Sequence, residues 1–321
     1  MHPFSTILIL SVALLPAMVR AQDAYPTRAI RIIVPSTPGG GSDVSARLIA
    51  QELSKRWGQS AVVENRAGAG TIVGTDIAAK ASPDGYTLLM APGALSTNPS
   101  TYKKLPFDAV RDFTPISQVL SVPQLLTVHP SLPAKTVKEF IALAKARPGQ
   151  IQYAAAGHGT LPHLTMELFA HTAQIRMTNV PYKGNSGLTD LMGGRLDAMV
   201  SSSLTLLLPH VRTGRLRALG VTTAARIQAQ PDIPTIAEAG LPGYVAKQWA
   251  GLLAPTGTPR DIVLKLHKEV VAILNKPELV EHLLRDSNVV VGSSPEEFGA
   301  FIKAEITKWA NLVKVAGIQA E

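Results

Sequence analysis

The feature of this sequence that most limits its fold is a regular alternation of short apolar stretches with longer amphipathic ones. Residues 29–34 are an apolar stretch that ends at Pro35, and the following segment carries apolar side chains at helical spacing up to Trp57. Further strands are predicted at 61–64, 86–91, 125–128, 151–156, 178–182, 196–202, 217–222 and 249–254. Strands separated by helices predict an α/β fold with mainly parallel sheets and right-handed crossovers.

Two of these strand–helix units share a glycine-rich loop between the strand and the helix. The loop at 38–43 reads PGGGSD, and the loop at 157–160 reads GHGT. Each follows the carboxyl end of a strand and precedes a helix N-terminus, where open α/β sheets bind ligands and free N–H groups favour an anion. We expect Asp43 to be the N-cap of its helix. The alternative is that both loops are simple tight turns, but their recurrence in separate halves of the chain favours a binding role.

The amino terminus predicts export of the chain. Residues 4–19 form an apolar stretch that Pro16 interrupts, and Val19 and Ala21 occupy the two positions that a signal peptidase reads. We therefore predict a signal peptide at 1–21 and a periplasmic mature protein. The alternative, a membrane anchor, needs a longer uninterrupted stretch. Export also argues against ATP and nicotinamide, which are cytoplasmic, so no cofactor is predicted.

Composition and motif spacing exclude several classes of protein. The chain has no cysteine, which removes a thiolate nucleophile and any cysteine-ligated metal. Aromatic residues make up 5%, and Lys and Arg never form a run of five, so no nucleic-acid partner is expected despite a net charge of +8. The GxGxxxG run at 68–74 lacks the spacing and the acidic residue of a dinucleotide site. His163 and Glu167 lack a third metal ligand, so His163 is predicted to be a packed or capping side chain.

At the level of motifs, the chain resembles the Bug-type (TctC-like) extracytoplasmic solute-binding proteins, the receptor class of tripartite tricarboxylate transporters. The matching segments run in order over nearly the whole mature chain. They are YPTRAIRIIVP at 25–35, PGGGSD at 38–43, VENRAGAG at 63–70, PDGYTL at 83–88, YKKLPFD at 102–108, DFTP at 112–115, GHGTLPHL at 157–164, VPYKG at 180–184, GRLD at 194–197 and GLPGY at 240–244.

The resemblance implies a two-lobed periplasmic-binding-protein fold of type II-like architecture, with a hinge of two crossing strands. The first lobe would comprise 22–125 and 222–321, and the second lobe 126–221. We expect the crossings near 125–129 and 219–222.

The resemblance also implies where a ligand carboxylate binds: between the two glycine-rich loops, held by backbone amides. Ser96 and Asn98, in what is predicted to be a loop after a strand, would reach the far end of the ligand, although such side chains also serve in ordinary turns. Carried onto this chain, the candidate ligand-binding residues are Gly39, Gly40, Gly41, Ser42, Asp43, Ser96, Asn98, His158, Gly159, Thr160, Ser201 and Ser202.

Two positions depart from the family pattern. Ser201 and the two serines after it supply hydroxyls where many relatives have an acid or a glycine, which favours a simple mono- or dicarboxylate over an amino acid. His158 stands where a small or amide residue is usual. If His158 faces the ligand, binding should be stronger near pH 6 than near pH 8; the alternative is a solvent-facing histidine.

The function predicted from sequence is a monomeric receptor that closes on a small carboxylate and is not an enzyme. The receptor would deliver the acid to a tripartite transporter membrane component or present it to a sensor kinase. The alternative is an exported enzyme that acts on a small organic acid in the same cleft. The sequence has no GxSxG elbow of a serine hydrolase and no base–nucleophile pair that periodicity would bring together, so the receptor is favoured over the enzyme.

Overall fold

The computed structural model describes residues 25–155, 157, 159–285 and 287–318, and the predicted signal peptide lies outside them. Within these ranges, no helix is both long enough and apolar enough to cross a bilayer. The strands are β1 (Ile30–Val34), β2 (Ala61–Asn65), β3 (Thr87–Pro92), β4 (Phe113–Val122), β5 (Leu125–Val128), β6 (Gln152–Ala155), β7 (Thr178–Pro181), β8 (Ala198–Ser201), β9 (Arg217–Val221), β10 (Gln248–Pro255) and β11 (Val289–Val290). The helices are α1 (Gly41–Trp57), α2 (Ile72–Ala79), α3 (Ala94–Thr101), α4 (Val137–Ala146), α5 (Leu161–Ala173), α6 (Gly187–Met192), α7 (Leu204–Arg212), α8 (Arg260–Leu274), α9 (Pro277–Arg285) and α10 (Pro295–Ala316).

The strands form two sheets, each built mostly from one part of the chain. The first sheet has the order β11-β4-β10-β3-β1-β2, and the second has the order β7-β6-β8-β5-β9. The central strands of both are continuous apolar runs; Ile32 and Leu88, for example, are neighbours in β1 and β3 and are fully buried. Such runs fit sheets that helices cover on both faces. The α/β class predicted from the alternation is therefore confirmed, and the two sheets agree with the two-part architecture that the resemblance implied.

Both sheets are mixed in strand direction, so the prediction of mainly parallel sheets is wrong. β1 runs parallel to β2 and β3, and β6 runs parallel to β7 and β8. The antiparallel pairings all involve the strands next to the crossings between sheets: β4 and β10 in the first sheet, and β5 and β9 in the second. Strand–helix alternation predicts direction only within an uninterrupted βαβ series, and each crossing interrupts that series.

The two crossings lie side by side and are hydrogen-bonded to each other. The Gln124 N–H donates to Thr222 Oγ1 at 3.1 Å, and the Thr222 N–H donates to the Gln124 carbonyl at 3.0 Å. The predicted crossing at 125–129 is instead β5, inside the second sheet. The crossing residues precede that strand because the apolar run needed for pairing begins only at Leu125.

Two parts of the chain that the prediction assigned to the first lobe pack against the second sheet. In the segment between β9 and β10, Ile236 and Tyr244 are buried in the second core. Helix α10 contacts both cores: Phe298 lies with the first sheet, whereas Trp309 and Leu312 lie with the second. The lobe limits themselves stay a prediction, and α10 joins the two cores.

The start of α10 is fixed by a capping box. Ser294 Oγ accepts from the Glu297 N–H at 3.2 Å, and the Glu297 carboxylate accepts from the Ser294 N–H at 2.9 Å. We expect Ser294→Ala to lower the free energy of unfolding by about 1 kcal/mol, measured by urea denaturation. Ser186→Ala is the matched control, because Ser186 also precedes a helix but makes no side-chain cap. Equal effects of the two substitutions would contradict the capping role.

Candidate ligand site between the two sheets

The carboxyl edges of the two sheets face each other across a gap. In the first sheet, β1, β2 and β3 are mutually parallel and end at one edge. In the second, β6, β7 and β8 do the same. The edges approach closely: a Cβ built on Gly159 would lie 3.6 Å from Thr101 Cβ, and one built on Gly93 would lie 3.2 Å from Leu161 Cδ2. The segments after β3 and β6 thus meet at one gap, and the carboxyl edges of strands are where α/β proteins bind ligands.

The first glycine-rich loop presents an open backbone at this edge. Gly39, Gly40 and Gly41 are exposed, and Gly39 has a φ of +87°. Helix α1 begins at Gly41 with Gly40 as its N-cap, and no side chain caps it. The N–H groups of a first helical turn have no partner within the helix. The loop therefore has N–H groups without a partner in the helix, and their binding to an anion stays a prediction.

Asp43 is not the N-cap, so that prediction is wrong. It is the third helical residue, is buried, and its carboxylate turns back to accept from the Gly39 N–H at 2.9 Å. Asn65 Nδ2 at 2.9 Å and Arg47 Nε at 3.0 Å complete its partners. Burial alone raises the pKa of Asp43, but the hydrogen bonds from Arg47, Gly39 and Asn65 outweigh it and hold the pKa below its usual value. Asp43 is ionised at neutral pH and shapes the loop.

The second glycine-rich loop has the same backbone plan. Gly159 has a φ of +69°, and Thr160 is the extended N-cap of α5. The Gly159 N–H donates to His163 Nδ1 at 3.1 Å, and Thr160 Oγ1 donates to the Gly157 carbonyl at 2.8 Å. His163 is buried, as its predicted role as a packed side chain requires. His158 lies outside the described residues, so its proposed contact with ligand stays a prediction.

A cavity of about 190 Å³ lies in the gap, beside the second loop. Its walls come from the turn before α2, from one face of α3 and from the start of α5. The lining residues are Gly70, Thr71, Ala94, Thr97, Asn98, Thr101, Tyr102, Gly159, Thr160 and Leu161. Backbone, hydroxyl and amide groups provide the polar contacts, and none of the described residues that line the cavity carries a carboxylate or a cationic side chain. The cavity is suited to a small anion that accepts hydrogen bonds.

Of the two candidates in the segment after β3, only Asn98 lines this cavity. Ser96 is fully buried, and its hydroxyl donates to the Gly93 carbonyl at 2.7 Å. Ser96 and Asn98 point in different directions because this segment forms helix α3, whereas the sequence predicted a loop. Thr97, Asn98 and Thr101 share one helical face, and Ser96 lies on another.

The turn at Gly70 and Thr71 is a part of the site that the sequence analysis missed. Residues 68–71 all have positive φ, including +43° at Ala69 and +84° at Thr71. Asn98 Nδ2 holds this turn by donating to the Gly70 carbonyl at 3.0 Å and to Thr71 Oγ1 at 3.2 Å. Non-glycine residues at positive φ carry strain, which is often stored at binding sites. The glycine spacing at 68–74 was the signal in the sequence that could have indicated this turn. It was considered only as a dinucleotide-binding motif, which it does not fit.

Ser201, the last residue of β8, and the two serines that follow it lie at the same edge of the second sheet, outside the lining of this cavity. Ser201 is buried and donates to Asn185 Oδ1 at 2.8 Å, while Asn185 Nδ2 donates to Ser203 Oγ at 2.9 Å. The Ser203 N–H donates to Ser201 Oγ at 3.1 Å. This closed network uses the hydroxyl of Ser201 within the protein. Ser202, which is half-buried, lies between Ser201 and Ser203 in the sequence.

A larger cavity, about 560 Å³, lies at the opposite end of the first sheet, near Phe113 and Leu253. Residues of the first sheet and its helices form it, so it does not involve the gap. Among the described residues, no group of three or more His, Asp or Glu side chains could hold a metal ion. The gap between the loops is therefore the site that the fold itself assembles from both sheets.

Comparison with known proteins decides the family. The family model described as "Tripartite tricarboxylate transporter family receptor" matches residues 45–318. The chain belongs to this receptor family. The receptor is 37% identical to Protein BugT of Bordetella pertussis over 298 residues, which cover 92% of this chain and 91% of BugT. It is also 37% identical over 308 residues to a protein encoded in the tcbD-tcbE intergenic region of Pseudomonas sp. strain P51, covering 95% and 91% of the two chains.

Solved structures agree with this assignment. The receptor is 37% identical to an R. palustris protein solved with adipate, with a TM-score of 0.78 and coverage of 92% of this chain and 100% of that one. It is 31% identical to MatC of Rhodopseudomonas palustris with bound malate, with a TM-score of 0.74 and coverage of 90% and 100%. The predictions of a Bug-type receptor and of its fold are confirmed.

Proposed function

We propose that this receptor closes its two lobes on a small mono- or dicarboxylate and holds one carboxylate group by backbone N–H groups of both glycine-rich loops. The observation that carries the proposal is the matched geometry of the loops at facing edges. Each has a glycine at positive φ, an extended N-cap and a helix start that no side chain caps, although Pro162 leaves the second helix with one N–H fewer. Similar receptors were solved with adipate and malate, which supports a carboxylate as ligand.

The energy available from the loops is sufficient without an arginine clamp. Micromolar affinity requires about 8 kcal/mol. A hydrogen bond to a charged group contributes roughly 1.5–3 kcal/mol, so three or four N–H donors supply it when closure excludes water. The helix N-termini add roughly 0.3–2 kcal/mol each. Hydroxyl and amide groups such as those of Thr97 and Asn98 line the remaining space for the rest of the ligand.

The absence of a carboxylate from the cavity lining sets the expected specificity. An α-ammonium group binds most strongly to a carboxylate, and the carboxylate of Asp43 already accepts from Gly39, Arg47 and Asn65. We expect adipate, malate or succinate to bind and aspartate to bind at least tenfold more weakly, as measured by calorimetry with the mature protein. Ligand binding should also raise the melting temperature. Aspartate that binds as tightly as the dicarboxylates would contradict this specificity.

The biological role proposed for this binding is uptake or sensing from the periplasm, after removal of residues 1–21. The family description names a transporter receptor, which supports a tripartite transporter membrane component as partner; a sensor kinase is the other proposed recipient. The receptor is proposed to act as a monomer. Incubation of the protein with a bound acid should return the acid unchanged by NMR, and turnover would favour an exported enzyme.

A further inference from the structure

Two buried side chains make the same contact in the two halves of the site. Asp43 Oδ2 accepts from the Gly39 N–H at 2.9 Å, and His163 Nδ1 accepts from the Gly159 N–H at 3.1 Å. Each acceptor is the third residue of its helix, four residues after the glycine, and each is about 97% buried. The two side chains differ in chemistry but occupy equivalent positions.

The backbone around both contacts is also equivalent. Gly39 and Gly159 have φ values of +87° and +69°. The N-caps that follow have almost the same conformation: φ −76° and ψ 164° at Gly40, and φ −71° and ψ 160° at Thr160. A glycine has wide conformational freedom, so a side chain that binds its N–H selects one loop shape from many.

We infer that Asp43 and His163 are paired positioning residues, which fix the two ligand-binding loops by holding the N–H of the left-handed glycine inward. With that N–H used inside the protein, the N–H groups left for an anion are those at the helix starts: Gly41 and Ser42 in α1, and Leu161 in α5, where Pro162 has none. This inference rests on the proposed function, because it assigns these side chains a role in shaping the carboxylate site. Neither side chain lines the cavity, and the positioning role inferred here requires no direct contact with the ligand.

The contact assigns the tautomer of His163. An Nδ1 that accepts a hydrogen bond carries no proton, so the neutral ring carries its proton on Nε2. Nε2 faces Glu167 Oε1 at 3.7 Å, and the Tyr153 hydroxyl donates to that same oxygen at 2.6 Å. The ring is thereby oriented from both sides, with the acceptor nitrogen toward the loop.

Two conservative substitutions of His163 test whether binding depends on a hydrogen-bond acceptor at the position of Nδ1 or only on the size of the side chain. In His163→Asn the amide oxygen can take the place of Nδ1, whereas in His163→Gln the longer amide reaches the place of Nε2. We expect His163→Asn to bind adipate within threefold of the parent protein and His163→Gln to bind at least tenfold more weakly. Calorimetry measures the affinities, and melting temperatures confirm that both variants fold.

Amide hydrogen exchange at Gly159, measured by NMR without ligand, reports on the contact directly. Exchange should be faster in His163→Gln than in His163→Asn. Faster exchange with unchanged adipate affinity, equal affinity of the two variants, or equal exchange would each overturn the inference. Failure of the parent protein to bind any acid would overturn the proposed function and the ligand role inferred here, while the exchange data would still reveal whether the contact exists.

The first loop offers the same comparison. Asp43→Asn keeps an oxygen for the Gly39 N–H, and Asp43→Leu has similar bulk without an acceptor. We expect the leucine variant alone to show both faster exchange at Gly39 and at least tenfold weaker adipate binding. If Asp43→Leu does not fold, the His163 pair still decides the inference.

Discussion

Replacing Gly159 with valine is expected to weaken adipate binding by at least 100-fold, which corresponds to about 2.7 kcal/mol. Gly159 has a φ of +69°, a conformation that a β-branched residue strongly disfavours. Its Cβ would also lie 3.6 Å from Thr101 Cβ, so the added methyl groups would enter the gap that the ligand needs. Calorimetry on the purified variant measures the loss.

Gly214→Val is the matched control for this substitution. Gly214 has a φ of +72°, and a Cβ built there meets nothing within 4 Å. Both variants should lose similar stability, about 1–2 kcal/mol for the left-handed conformation, but Gly214→Val should keep its affinity. If Gly159→Val bound adipate as well as Gly214→Val does, the second loop would not approach the ligand.

Trp309→Ala is expected to lower the free energy of unfolding by about 3–5 kcal/mol. The indole is fully buried in the second core, and its N–H donates to Glu305 Oε2 at 3.0 Å. Truncation opens a cavity and removes one partner of a carboxylate that is itself buried. Urea denaturation measures the change, and the slope of the unfolding free energy against urea concentration should be the same in both proteins.

Val315→Ala on the same helix is the control, because Val315 is 59% exposed. Its effect should lie within about 0.5 kcal/mol of zero. An equally small effect of Trp309→Ala would mean that the end of α10 contributes little to the second core.

Features that depend on residues close together in the sequence could be predicted from the sequence. The apolar run at Ile30–Val34 and the helix at Leu161–Ala173 carry strong local patterns, and the structure has both. The two glycine-rich loops were found for the same reason. Strand direction was not predictable, because whether β10 lies antiparallel between β3 and β4 depends on a crossing that no local pattern records.

For the candidate site residues too, the sequence indicated the position but not the contacts that depend on the fold. Asn98 was a candidate because its segment follows a strand and would reach the far end of the ligand, but its hydrogen-bond partners, the Gly70 carbonyl and Thr71, lie more than 25 residues away in the chain. The role of Asp43 was assigned to the helix end because capping is the usual use of an aspartate there. Its buried contacts with Asn65 and Arg47 require tertiary packing that the sequence does not display.

The reach of α10 has a consequence for how such a receptor moves. A helix of 22 residues is about 33 Å long, and this one rests on both cores and against α5. If the two sheets move apart when ligand leaves, we therefore expect the last turns of α10 to shift against α5, a shear added to any rotation about the two crossing strands. Burial of the Trp309 indole in the second core would then restrict the size of that shift.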